Sequence, residues 1–144
     1  MPSPLKTIAT DLAAGLDAKT ELSSASISKS YFLEVNLADM DTTKIVVVPS
    51  GEEVERIDRA SWQHDIQIVV FIGKRCKTDA EVDSAIDLVH TVQELIREHS
   101  WSNTWTTDPT SPMTVEVDHN PQEALPERNV FRSVITATYR VFET

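Results

Sequence analysis

The pattern of hydrophobic and polar positions predicts a helix at the start of this chain. Its apolar residues recur every three or four positions, as on one side of a helix, and are Leu5, Ile8, Leu12 and Leu16. Ser3 is suited to cap this helix, with Pro4 at its first position, where a missing N–H costs nothing. The serine-rich residues 17–30 predict a polar loop after it.

Three strands are predicted between this helix and a second one. Residues 31–37 alternate between apolar and polar side chains, which predicts a half-buried strand. Residues 45–48 are β-branched, and Pro49 with Gly51 is expected to end this second strand. Residues 65–73 are apolar on both faces, which predicts a central strand with one face beneath a helix.

A capping box marks the start of the second helix, because the Thr78 hydroxyl can accept a hydrogen bond from the N–H of Glu81. The apolar stripe that follows has the three-four spacing of a helix and comprises Val82, Ala85, Ile86, Val89, Val92 and Ile96. If the whole stripe is buried, Ile86→Asp should unfold the protein.

Two further strands are predicted in the last third of the chain. Residues 113–117 alternate and predict a short strand, and residues 131–142 predict a longer one. The longer strand is expected to have two faces, one with Phe131, Ile135, Ala137, Tyr139 and Val141, and the other with Arg132, Val134, Thr136, Thr138 and Arg140. Residues 118–129 contain two prolines and predict a long loop between these strands. Trp101 and Trp105, ahead of both strands, are expected to close one end of the core.

Together these elements predict an α+β fold in which a mainly antiparallel β-sheet is flanked by two α-helices, in the order α-β-β-β-α-β-β. At 144 residues, a single domain spanning residues 1–144 is expected. The charged connector at residues 49–64 is compatible with a loop, or with strand extensions that form a projecting hairpin arm.

The composition restricts the function mainly by exclusion. A formal net charge of −10 disfavours general binding to DNA or RNA, because nucleic-acid phosphates repel an acidic surface. The single cysteine, Cys76, excludes an intrachain disulfide and fits a reducing compartment. The start of the chain lacks the pattern of a signal peptide, and the apolar runs are too short to span a bilayer.

No run of residues has the pattern of a catalytic centre, so we expect no enzyme, no cofactor and no metal ion. Recognised metal-ligand spacings are absent among the histidines, which are therefore interpreted as solvent-facing or hydrogen-bonded: His64, His90, His99 and His119. Cys76 lies between Arg75 and Lys77 ahead of a helix, a setting that lowers a thiol pKa. No base to activate it can be named, and an incidental thiol in a turn is the simpler interpretation.

Three parts of the chain together resemble the tail terminator family, the small tail-completion proteins of long-tailed bacteriophages and prophages. They are residues 46–70 (VVVPSGEEVERIDRASWQHDIQIVV), the capped helix from Thr78, and residues 131–141 (FRSVITATYRV). The resemblance covers nearly the whole chain, and the family's fold, a β-sheet flanked by helices, is similar to the element order above.

The resemblance implies a structural virion protein that acts in the neck region of the tail after assembly in the host cytoplasm. Such proteins form a hexameric ring on the last ring of the tail tube, stop tube polymerisation and present a surface to the head-completion or connector protein. DNA would pass through the lumen without specific binding, which an acidic chain suits, and no membrane would be involved.

The resemblance also implies that the arm at residues 49–64 reaches toward the tail-tube protein or a neighbouring subunit. By their position in this pattern, the expected interface residues are Glu53, Glu55, Arg56, Asp58, Arg59 and Trp62. Charge reversal at Arg56 and Arg59 is then expected to weaken assembly without unfolding the protein. Exposed strand edges would explain ring formation by strand addition between subunits.

Several alternatives stay open on the sequence alone. The charged connector is as compatible with a solvated surface loop as with a docking arm. The chain is also compatible with another neck, connector or tail-tube subunit, or with a small non-viral binding module. An enzyme using Cys76 or a histidine–carboxylate pair is the remaining alternative, and it would lose activity on Cys76→Ser or His64→Ala.

Overall fold

The computed structural model describes residues 4–31, 42–76, 78–100, 111–119 and 130–143. The elements are α1 (Pro4–Asp17), β1 (Ser26–Lys29), β2 (Lys44–Arg56), β3 (Trp62–Arg75), α2 (Asp79–Glu98), β4 (Thr114–His119) and β5 (Val130–Glu143). A single-turn 3₁₀ helix, Thr20–Leu22, lies between α1 and β1. This order confirms the predicted α+β fold.

The five strands form one sheet in the order β1-β2-β3-β5-β4. β1 runs parallel to β2, and every other neighbouring pair is antiparallel. β3 is the central strand, as its two apolar faces predicted, and it pairs with both β2 and β5 over almost its full length. Among the described strands, β1 and β4 form the two edges of the sheet.

Both helices pack against the same face of the sheet, which we call the helix face. Successive side chains of a strand point to opposite faces, so the buried residues of β3 on this face are Ile66, Ile68, Val70 and Ile72. Both helices contribute to the same core, through Ile8, Leu12 and Leu16 of α1 and Ala85, Val89, Val92 and Ile96 of α2. The opposite face, which carries Asp65, Gln67 and Val69 of β3, is called the outer face below.

β5 confirms the predicted division of the last strand into two faces. The side chains turned to the helix face are fully buried and are Phe131, Ser133, Ile135, Ala137, Tyr139 and Val141. β4 contributes little to the core, because Val115 alone among its residues is partly buried against it. β4 runs as far as His119, so residues 118 and 119 belong to a strand rather than to the predicted loop.

The first strand of the sheet lies where the pattern predicted a polar loop, so that prediction was wrong. Residues 17–30 contain the end of α1, the 3₁₀ helix and β1, and the Ser26 N–H donates to the Thr43 carbonyl over 2.9 Å. Of the residues in β1, Ile27 packs against the core. One apolar residue among serines is too weak a period-two pattern to indicate a strand. The strand predicted at residues 31–37 falls, after its first residue, outside the described residues.

Pro49 does not end β2, contrary to prediction. The strand continues past it, and its register with β3 shifts between Pro49 and Gly51, as at a β-bulge. Proline lacks the N–H that a sheet ladder needs, and it is tolerated at bulges and free edges. Among the described strands, β1 pairs with β2 only as far as Val47, so no neighbour there requires the missing donor.

α2 begins as predicted but buries a narrower stripe. The Thr78 hydroxyl accepts from the N–H of Glu81 over 3.2 Å, as in a capping box. Ile86 does not belong to the buried stripe and is 38% exposed. It lies about 100° around the helix from Ala85, at the margin of the stripe. The expectation that Ile86→Asp unfolds the protein therefore has no structural basis.

A polar contact joins α1 to the residue that follows α2. The Nε2 atom of His99 lies 2.9 Å from Oδ2 of Asp11. Gly15 makes room for this ring, because a Cβ atom at that position would lie 2.6 Å from His99 Cε1. The glycine is therefore explained by the close packing of α1 against the His99 ring.

Several predictions lie outside the described residues, namely the Ser3 cap, the positions of Trp101 and Trp105, and the loop beyond residue 119. None of the helices in the described ranges combines the length and the hydrophobicity that crossing a bilayer requires.

Candidate functional site

The candidate site is the paired end of β2 and β3, residues 49–64, which we call the arm. Each residue from Glu52 to Arg56 lies opposite one residue of β3, so that Glu52 faces Ile66 and Arg56 faces Trp62. The turn between the strands is closed by the Ile57 N–H, which donates to the Ser61 carbonyl over 3.1 Å. Of the two alternatives for this connector, strand extensions and a loop, the structure has the strand extensions.

Arg56 holds the turn at the end of the arm in place. Its Nε donates to the carbonyl of Asp58, and its Nη2 donates to the carbonyl of Arg59, both over 3.1 Å. The guanidinium also lies 5.6 Å from the centroid of the Trp62 ring, within the range of a cation–π contact. The carboxylate of Asp58 accepts from the N–H of Ala60 over 2.8 Å. Arg56 and Asp58 therefore stabilise the arm itself.

The end of the arm also exposes large apolar side chains. Val54 is 49% exposed, Ile57 is 51% exposed and Trp62 is 41% exposed. Single exposed apolar residues are common on protein surfaces, whereas several within one short hairpin are typical of a contact surface. Tryptophan in particular is enriched among the residues that contribute most to protein interfaces.

The base of the arm is joined to β5 by a buried histidine. His64 is only 7% exposed, and its Nδ1 lies 2.6 Å from Oε1 of Glu52 while its Nε2 lies 2.8 Å from Oε2 of Glu143. The ring therefore bridges a carboxylate of β2 and a carboxylate of β5. Of the two environments expected for His64, solvent-facing or hydrogen-bonded, the structure has the second.

The same geometry argues against a metal ion at His64. Its two carboxylate partners contact opposite nitrogens of the ring, so Glu52 and Glu143 cannot bind one ion together with a single ring nitrogen. Across the parts of the chain that the structure describes, no group of three histidine, cysteine, aspartate or glutamate side chains is arranged to bind a metal ion.

On the outer face, the arm is strongly acidic. Glu53 lies opposite Asp65, and Asp65 in turn lies opposite Arg140 of β5. Arg140 donates to both oxygens of Asp65, over 2.9 and 3.1 Å, and these hydrogen bonds lower the pKa of that carboxyl group. A shallow hollow of about 270 Å³ opens beside this pair and is lined by Gly51, Glu52, Glu53, Asp65, Gln67 and Thr138.

The predicted interface residues thus fall into two groups. Arg56 and Asp58 contact the arm's own backbone, so a charge reversal at Arg56 would disturb the turn as well as any partner. Glu53, Glu55 and Arg59 are exposed and stay available for a partner, as does the exposed edge of the Trp62 ring. The link between His64 and Glu143 was missed, because nothing local in the sequence relates two residues so far apart.

Cys76 does not have the environment of an activated nucleophile. The side chain is buried, and this burial raises the pKa of its thiol, although the positive charge of Lys74 opposes the change. A raised pKa leaves less thiolate at neutral pH, the opposite of what a reactive cysteine requires. Desolvation therefore outweighs the positive charge of Lys74.

Comparison with known proteins finds a similar fold but no family. No protein-family model matches the chain, and no curated protein sequence matches it. Among solved structures, a chain described as "Virion of native gene transfer agent (GTA) particle" matches with a TM-score of 0.59. The match covers 98% of this chain and 98% of that chain, at 10% sequence identity. The two chains therefore share a fold over nearly their whole lengths.

Proposed function

We propose that this chain is a structural protein of a phage-like virion and that it forms the ring that ends the tail tube and meets the head connector. The observation that carries the proposal is the shared fold, over 98% of both chains, with a component of a gene transfer agent virion. A match over nearly the whole of both chains fits a protein that is used as one subunit of an assembly. The role is structural rather than enzymatic.

The two edge strands of the sheet support a role in assembly. Among the described strands, β1 and β4 each have one partner, and β4 pairs with residues 133–138 of β5 but not with the end of that strand. Unpaired backbone N–H and C=O groups at such edges can accept a strand from a neighbouring subunit. Strand addition would join subunits without any conserved side-chain motif.

The arm supports a docking role within that assembly. Its exposed charges, Glu53, Glu55 and Arg59, belong to the same hairpin as the exposed ring of Trp62. An aromatic anchor beside charges of both signs is the arrangement in which the ring supplies affinity and the charges select the partner. We assign this surface to the tail-tube protein or a neighbouring subunit.

The acidic composition supports a ring through which DNA passes. With a net charge of −10, the ring would repel the phosphate backbone and would not retain DNA in its lumen. The same charge disfavours a role in which the protein grips nucleic acid.

The test is a tail-completion assay with purified tail-tube subunits. We expect the protein to shorten the distribution of tube lengths in electron micrographs and to appear as a ring at one tube end. Light scattering over a concentration series gives the mass of the ring in the absence of tubes. If tubes elongate to the same lengths with and without the protein, the terminator role is wrong. If the protein itself builds open-ended tubes, it is a tube subunit.

One pair of variants links the assay to the arm. Arg59→Glu reverses an exposed charge at the turn of the arm without removing the hydrogen bonds of Arg56, since Arg59 takes part through its carbonyl. It should lower the fraction of capped tubes at an unchanged melting temperature. Arg97→Glu, an exposed position on α2, is the matched control and should cap tubes normally.

A further inference from the structure

We propose that copies of this chain contact one another head to tail, with the acidic outer face of the arm in one copy meeting a cationic strip at the opposite end of the sheet in the next. The inference rests on the proposed ring and adds the surfaces that form its subunit contact. It follows from the distribution of charge along the outer face.

The acidic end of the outer face is the arm. Glu53 and Asp65 lie directly opposite each other, and Glu55 is on the same face two residues further along β2. The hollow of about 270 Å³ opens among the first two carboxylates. Arg140 is already hydrogen-bonded to Asp65, so the carboxylates of Glu53 and Glu55 are the ones left to meet a cation from outside.

The cationic end of the outer face is a row across the other end of the same strands. Lys44 of β2 lies opposite Gly73 of β3, and Gly73 lies opposite Arg132 of β5. Gly73 itself is buried, so the side chains of Lys44 and Arg132 on either side of it form the cationic strip. Arg132 is exposed and Lys44 is half-buried. Asp118 of β4 lies one row further in, so the strip is most positive toward Lys44.

The two charged ends cannot neutralise each other within one molecule. Gly73 follows Asp65 by eight residues along β3, which places the two rows about 27 Å apart at about 3.4 Å per residue. Charges so separated are screened, since the Debye length at physiological ionic strength is about 8 Å. Another molecule can bring the ends into contact, and a head-to-tail contact that closes on itself produces a ring.

A second copy of this chain is therefore the occupant to which we assign the arm's acidic face. The complementary surface is on the same sheet. Its two cations, Lys44 and Arg132, match in number the two available carboxylates, Glu53 and Glu55. A basic segment of a tail-tube protein is the competing occupant, and the experiment separates the two.

Charge reversal in pairs tests the contact. Glu53→Lys with Glu55→Lys makes both ends basic, and Lys44→Glu with Arg132→Glu makes both ends acidic. We expect each double variant to weaken self-association by more than about tenfold, because like charges then face each other across the contact. An equimolar mixture of the two double variants should associate again, and the quadruple variant should associate like the original protein. Asp83→Lys with Asp87→Lys, on the exposed side of α2, is the matched control and should leave association unchanged.

Sedimentation velocity measures the association, and a zero-length carbodiimide cross-linker captures it when it is weak. The reagent joins an amine to a carboxylate in contact, so mass spectrometry should find Lys44 joined to Glu53 or Glu55 between copies. Circular dichroism confirms folding, and Arg132→Glu alone repeats the test if the substitution at Lys44 unfolds the chain. Association that is insensitive to both reversals overturns the proposal. So does an original protein that neither self-associates nor forms the Lys44 cross-link.

The tail-completion assay makes the two proposals separable. If the reversals abolish capping of tubes while the variants still self-associate like the original protein, the occupant of the arm is the tube protein and the head-to-tail contact is wrong. If copies associate through these surfaces but tubes are not capped, the head-to-tail contact stands and the terminator role fails.

Discussion

His64 and Glu143 lie 79 residues apart in the sequence, yet Nε2 of the histidine is 2.8 Å from Oε2 of the glutamate. This contact ties the start of β3 to the end of β5 just where the arm leaves the core. Since the other ring nitrogen meets Glu52 of β2, one side chain joins all three strands at the base of the arm. Removing this side chain should therefore lower the stability of the whole sheet.

Replacing this histidine should destabilise the protein. His64→Ala leaves Glu52 and Glu143 without their shared hydrogen-bond partner in a partly buried site, and we expect a loss of about 1–3 kcal/mol in the free energy of unfolding. Urea denaturation at pH 7 measures it. His90→Ala is the control, since its ring is mostly exposed and contacts Glu94 within one helix; it should change the free energy by less than about 0.5 kcal/mol. Equal effects of the two substitutions would contradict the structural role of His64.

Gly15→Ala should destabilise the original protein but stabilise a protein that also carries His99→Ala. In the original protein, Gly15→Ala places a Cβ against the ring and displaces it from Asp11, so we expect destabilisation of about 1–3 kcal/mol. In a His99→Ala background the space is open, and the same change should stabilise the helix by about 0.5–1 kcal/mol. Thermal unfolding of the four proteins completes the cycle. Additive effects would show that the two residues do not touch.

Aspartate substitutions on α2 should lower the free energy of unfolding much more at a buried position than at an exposed one. Ile86→Asp should change the free energy of unfolding by less than about 1 kcal/mol, because the side chain is already partly in water. Val89→Asp should cost more than about 4 kcal/mol, because it places a charge among the core residues. Thermal unfolding followed by circular dichroism gives the melting temperatures of the two variants. A larger loss for the substitution at position 86 would mean that another part of the chain covers it.

The Asp65–Arg140 pair should make part of the stability depend on pH. The pKa of Asp65 is lower in the folded protein than in the unfolded chain, so its contribution is present above the unfolded value of about 3.9 and is lost as the pH falls through the folded value. Arg140→Gln should therefore destabilise the protein at pH 7, and the difference from the original should shrink below about pH 3.9. Urea denaturation across a pH series tests this, with Arg97→Gln as the control. A difference that stays constant down to pH 2 would assign the effect of Arg140 to packing.

The position of the arm was predictable from the sequence, but the contacts that its individual residues make were not. A charged connector between two apolar strands marks the arm in the sequence. Its pattern cannot reveal that Arg56 is directed at two carbonyl groups of its own turn, because that depends on the path of the turn. The sequence therefore placed Arg56 and Arg59 in one group, whereas the structure separates a bracing residue from an available one.

The sequence by itself determined the elements whose evidence is local. Four features follow from the spacing of residues within about four positions of one another. They are the apolar stripe of α1, the capping box at Thr78, the central position of β3 and the two faces of β5. The tertiary structure alone decided the strand at Ser26–Lys29, the passage of β2 through Pro49, the exposure of Ile86 and the partners of His64. Each of these depends on which surface lies across from a residue, and the free energy of that contact is set by packing and pairing between distant segments.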